Sequence, residues 1–175
     1  AGQLKVAAQT YRQGGSNDFW GGPIDTASGS PSIDNATCDA YDKFWPISRK
    51  EVTDFVAGGE ATNEIKTWPG NGDFTKGELP TLAPFFDADN DGVYNYENGD
   101  YPYFLLAGDY PANPNTGKVE CNDYLFGDKS IWWVFNDVGN IKTETSSDPI
   151  GLEIRAQAFA FKTANEINFM TFYKY

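Results

Sequence analysis

The last third of the chain holds three strand-like segments, and nothing else in it constrains the fold as tightly. Ile131 to Phe135 is an uninterrupted aromatic and aliphatic run, Leu152 to Lys162 alternates, and Ile167 to Tyr175 alternates again. Successive strand side chains point to opposite faces, so Trp132 and Trp133 must lie on opposite sides of a sheet. In the second segment Leu152, Ile154, Ala156, Ala158 and Ala160 share one face, while Glu153, Arg155, Gln157, Phe159 and Phe161 share the other. A row of small residues lets another layer approach closely. At the opposite end of the chain, Leu4 to Tyr11 alternates in the same way. Together these segments predict a mainly β protein, an antiparallel β-sandwich with long loops.

The expected exception to the β pattern is one short helix. Ser48-Arg49-Lys50-Glu51 has the spacing of a capping box, in which the Ser hydroxyl and the Glu carboxylate each satisfy an amide that the first helical turn leaves free. It predicts a helix from about Arg49 to Val56, ended by Gly58-Gly59.

Between helix and late strands lies Asp87-Ala88-Asp89-Asn90-Asp91-Gly92-Val93, three carboxylates at alternate positions followed by glycine. That is the ligand spacing of an EF-hand-like calcium loop, with Asp87, Asp89 and Asp91 at positions 1, 3 and 5 and the Val93 carbonyl at position 7. Ca²⁺ takes about 6 to 8 oxygen ligands, and three such carboxylates repel one another without a cation. Pro80, Pro84 and Pro102 exclude the paired helices of a calcium sensor. Asn98 stands where such a hand places its bidentate Glu, so the closing carboxylate falls to Glu97 or, with the turn extended by Gly99, to Asp100, which is favoured. The loop predicts a fixed calcium clamp.

Charge and residue types narrow the function. With 25 acidic against 13 basic residues the formal net charge is -12, which disfavours nucleic acid and anionic membrane surfaces as partners. No apolar run is long enough to insert in a membrane. The chain has no histidine, which removes Ser-His-Asp and Cys-His nucleophile systems and every His-ligated metal centre. A carboxylate-dependent glycoside hydrolase needs only two acidic residues, and Glu144 and Glu153 flank the aromatic strands, but that signal is unspecific in so acidic a chain. The expectation is no enzyme. The loop tryptophans Trp20 and Trp68 are candidates for stacking on glycans. Cys38 and Cys121 match no metal spacing and predict a disulfide if the protein is secreted. Thr26, in Asp25-Thr26-Ala27, fits a bacterial O-glycosylation acceptor better than Asn35-Ala36-Thr37 fits the N-linked pattern.

Several segments together resemble a family of large secreted or cell-surface proteins of gliding-type Gram-negative bacteria, exported by the type IX secretion route under a C-terminal sorting domain. The residues that carry the resemblance are Leu4 to Tyr11, Asp18-Phe19-Trp20-Gly21-Gly22-Pro23, Cys38 to Trp45, Asp87 to Pro102, Trp132 to Asp137, and Pro149-Ile150-Gly151-Leu152-Glu153. The resemblance implies an extracellular β-rich region within a longer chain and no particular activity. Residues 1–175 are therefore expected to form a single extracellular β-rich domain, a fragment whose ends fall inside strand-like segments. Its expected function is that of a calcium-stabilised, non-catalytic module of a secreted or surface-attached bacterial protein, with a structural or adhesive role. The alternatives are a glycan-binding module, a filament subunit that associates with neighbouring copies of itself, and the glycoside hydrolase. Calcium is the expected cofactor.

Overall fold

The computed structural model describes residues 18–106, 124–139, 142 and 147–175. In chain order they form β1 (Trp20–Gly21), α1 (Asn35–Tyr41), β2 (Trp45–Ser48), α2 (Arg49–Val56), α3 (Asn63–Lys66), β3 (Phe85–Phe86), β4 (Tyr101–Pro102), β5 (Lys129–Asn136), β6 (Glu153–Ala160) and β7 (Phe172–Lys174). The expected strand at Leu4 to Tyr11 lies outside the described residues, and so does Cys121.

β5 is the axis of the fold. It pairs along its whole length with β6, from Lys129 opposite Ala160 to Asn136 opposite Glu153. Its other edge is shared: β2 covers Lys129 to Trp132, and β1 covers Phe135 and Asn136. β7 extends the sheet beyond β6, and every strand pairing is antiparallel. The described part of this chain is thus an antiparallel β-rich fold with few, short helices. β3 and β4 form a separate two-stranded ribbon.

Burial follows the period of two. Ser130, Trp132, Val134 and Asn136 are buried, and Ile131, Trp133 and Phe135 between them are half-buried. Trp132 meets Trp45 and Trp68 at ring-centroid distances of 5.7 and 6.2 Å, and Ile47, Val52, Ile65, Leu82, Phe104 and Leu125 complete this core. Both outer indoles bring their polar edge to a carbonyl: Trp45 Nε1 donates to Thr67 O and Trp68 Nε1 to Pro84 O, each at 3.0 Å. Buried tryptophans keep that hydrogen bond because an unpaired N–H in an apolar site is costly.

α2 runs over the expected residues, with both halves of the Ser48 and Glu51 capping box formed. Two further helices depart from the expectation of one. Asp34 caps α1 by accepting from Thr37 N, and Thr62 caps α3 by accepting from Ile65 N. These helices of seven and four residues are too short to stand on propensity. Burial of Ile65 in the core helps to hold the shorter one. The layer packed on Trp132 and Val134 includes residues of α2, α3, β4 and the 68–83 stretch, so among the described residues no second full sheet faces the first.

Candidate metal centre

The ribbon register builds the site. Phe86 pairs with Tyr101 and Phe85 with Pro102, so the residues just beyond the pair, Asp87 and Asp100, face one another across the mouth of the loop. The Phe86 and Tyr101 rings stack at 4.8 Å, which fixes that register from the side chains as well. Asp100 is 0% exposed. Its Oδ1 accepts from Ala88 N and its Oδ2 from Asn95 N, both at 2.8 Å, so one carboxylate ties the start of the loop to its end.

The loop itself is wound by its own carboxylates. Asp87 Oδ2 accepts from Gly92 N at 2.8 Å and Oδ1 from Asp91 N at 3.2 Å. Asp89 Oδ2 accepts from the Asn98 amide at 2.8 Å. Asn90 and Gly92 hold φ values of 59° and 79°, the left-handed region that turns the chain sharply inside the loop. Asn90 is the only non-glycine with positive φ among the described residues.

One oxygen each from Asp87, Asp89 and Asp100 lies within 4.8 Å of the other two. Asp91 is outside this trio. Its Oδ1 accepts from Val93 N at 2.7 Å, a local turn that directs the carboxylate back onto its own loop. Val93, expected to offer its carbonyl, is partly exposed at the same turn. Asn98, at the closing position of a calcium hand, braces Asp89 through its side-chain amide. The donor set is all oxygen, with each of the three carboxylates oriented by two hydrogen bonds from amides of the loop, and this suits a hard cation.

Asn71 is the residue that pattern reading passed over. Its Oδ1 accepts from Tyr94 N at 2.6 Å, and its Nδ2 donates to Gly92 O and Pro80 O at 2.8 and 2.6 Å. Tyr94 in turn donates its hydroxyl to Ile65 O at 2.6 Å and meets Phe85 edge to face. The loop is thereby pinned to α3 and the core from one side and to the ribbon from the other. In the sequence Asn71-Gly72-Asp73 reads only as a turn, because the two loop partners of Asn71, Gly92 and Tyr94, lie more than twenty residues away.

The other candidates fall elsewhere. Trp68 is 4% exposed inside the core, so it offers no face to a glycan, which corrects the expectation drawn from its loop position. Trp20 is half-buried with its indole against Gly139, where even a Cβ would come within 2.0 Å of the ring. Thr26 is exposed and donates its hydroxyl to Gly77 O at 2.6 Å. Cys38 is half-buried on α1, without a disulfide among the described residues, and its expected partner Cys121 lies outside them. Glu144 also lies outside them.

A second acidic group sits between α1 and the sheet. Glu78 is 5% exposed, and burial pushes its carboxyl up from the ordinary value although it accepts from Asp73 N at 2.7 Å. Tyr41 is pushed up to about 12 by burial first and by Glu78, Asp73 and Glu153 after it. At the surface end, Lys76 donates to Asp34 at 2.8 Å and holds that carboxyl down at about 2. Among the described residues no helix is long and apolar enough to cross a membrane. Comparison with known proteins adds no relative: no family model, no curated protein and no solved structure matches this chain.

Proposed function

We propose that the Asp87 to Asp100 loop is an EF-hand-like calcium site and that calcium acts here as a structural clamp. The observation that carries the reading is the convergence of Asp87, Asp89 and Asp100 oxygens within 4.8 Å, with Asp100 fully buried between the loop ends. Three carboxylates held together by backbone donors lower their mutual repulsion most by sharing a divalent cation. Asp91 and the Val93 carbonyl are within the same turn and complete the oxygen set on binding. The role is structural because the site sits on a ribbon docked to the core through Tyr94 and Asn71 and has no helix pair to open.

On this reading the protein is a non-catalytic, calcium-stabilised extracellular module of a secreted or surface-attached bacterial protein. Its role is structural or adhesive. Support comes from the absence of histidine, the net charge of -12, and the resemblance to proteins of the type IX secretion route. The test is calorimetric titration of the chelator-treated protein with calcium. One saturable site is expected, in the range of roughly 10⁻⁴ to 10⁻³ M, with magnesium much weaker. Asp87→Asn and Asp89→Asn should each abolish it without loss of fold. A titration with no heat and an unchanged melt in excess calcium would overturn the reading.

A further inference from the structure

The inner face of the sheet is filled unevenly. Over β5 it is closed by the three tryptophans, whereas over β6 it opens into a cleft of about 660 Å³ between the strand and the 81–84 segment. That volume is in the range of small-molecule sites. The register opposite Trp132 and Val134 places Gln157 and Arg155 on the cleft side, with Glu153 next in the row, while Ala156 and Ala158 take the opposite face. Gln157 is buried beside Trp132 and Arg155 is exposed at the cleft, while Ala156 on the opposite face of the strand is buried as well.

The side chains in this cleft have binding capacity left over. Arg155 carries five N–H donors, and among the described residues these meet only Thr81 O at 3.4 Å and the Glu153 carboxylate at 3.9 Å. Glu153 Oε2 accepts from Ile24 N at 2.9 Å, but its Oε1 is buried with no hydrogen-bond partner. Gln157 is held by donation of its Nε2 to Ser130 Oγ at 2.7 Å, which fixes the plane of its amide. Tyr124 and the exposed Tyr175 supply ring surfaces at the rim. Lys174, whose ammonium lies 5.1 Å from the Phe126 ring centroid, adds a second cation.

We propose that the cleft binds an acidic sugar, a hexuronate unit, with its carboxylate on Arg155 and its hydroxyls on Gln157 and Glu153. A guanidinium fork matches a carboxylate with two parallel hydrogen bonds. Sugar hydroxyls both donate and accept, as the mixture of Glu153, Gln157 and Arg155 requires, and the apolar face of a pyranose ring lies flat on a tyrosine. Neither the Asp87 loop nor Trp20 nor Trp68 is among the residues that line this cleft.

The experiment is a titration of the whole chain with digalacturonate and, separately, with the neutral digalactose, at one fixed free-calcium concentration, followed by tryptophan fluorescence from Trp132 in the cleft wall. Saturable binding of digalacturonate is expected, with digalactose weaker. Arg155→Gln should weaken it by about tenfold or more, as loss of a charge-assisted pair implies. Arg155→Lys, which keeps the charge and loses the fork, should fall between, and both variants should melt at the wild-type temperature. No saturable binding, equal affinity for the neutral disaccharide, or binding unchanged in Arg155→Gln would each overturn the proposal.

Discussion

The β5–β6 pair and the β3–β4 ribbon are both antiparallel, yet eight register positions join the first and two join the second. Behind the first stands a core of three tryptophans and aliphatic side chains. The ribbon has one stacked aromatic pair and a loop whose amides are satisfied mainly by Asp87, Asp89, Asp91, Asn95 and Asp100. Apolar burial is indifferent to ions and nearly so to pH. A loop wound around its own carboxylates depends on what neutralises them. Two regions of one fold therefore answer to different solution conditions.

The comparison breaks most plainly at Trp132. Trp132→Ala removes the ring on which Trp45 and Trp68 close, and should cost about 3 to 5 kcal/mol in denaturant unfolding. Calcium affinity in the folded fraction should be unchanged; a loss of both together would mean that the loop is not a separate unit. Asp100→Ala is the converse. It leaves the Ala88 and Asn95 amides without their acceptor, which should cost about 2 to 4 kcal/mol and abolish calcium binding.

Calcium itself should act locally first. At a hundredfold excess over the dissociation constant a ligand stabilises the folded state by about 2.7 kcal/mol. Hydrogen exchange should slow at Ala88, Gly92, Val93 and Asn95 well before any change at Trp132 or Val134. Equal slowing in both regions would erase the distinction drawn here. Asn71→Ala, which frees Tyr94 N and releases Gly92 O, should cost about 1 kcal/mol and weaken calcium binding although Asn71 is not a ligand.

The smallest effects are those of pH outside the loop. Glu78 has a raised value in the fold, so its contribution is present below the ordinary carboxylate value of 4.5 and is lost as pH rises through the folded value. Glu78→Gln should flatten that decline by about 1 kcal/mol or less. Asp34 is shifted the other way. Its contribution is present above 3.8 and is lost as pH falls toward 2, and Asp34→Asn should remove that acid limb from the melting profile.

Helix α2 and the alternation of β5 and β6 were legible because their signals are local: a hydroxyl and a carboxylate three residues apart, and a period carried by adjacent side chains. Asp100 was legible for a related reason, since Gly99, at φ 99°, lengthens the turn past Asn98. α1 and α3 escaped notice because short helices draw their stability from what they pack against. Trp68 was misplaced because a tryptophan before proline in a Gly-rich stretch reads as a surface turn, and only its contact with Trp132 shows it to be core.

By itself, then, the chain specified its antiparallel β character, its capped helix and the residues able to gather oxygens around a cation. The tertiary structure alone decided that Trp68 lies in the core, that Asn71 braces the loop, and that Arg155 and Gln157 of β6 line an open cleft. Each of these depends on which distant segment lies opposite, and sequence spacing carries no record of that.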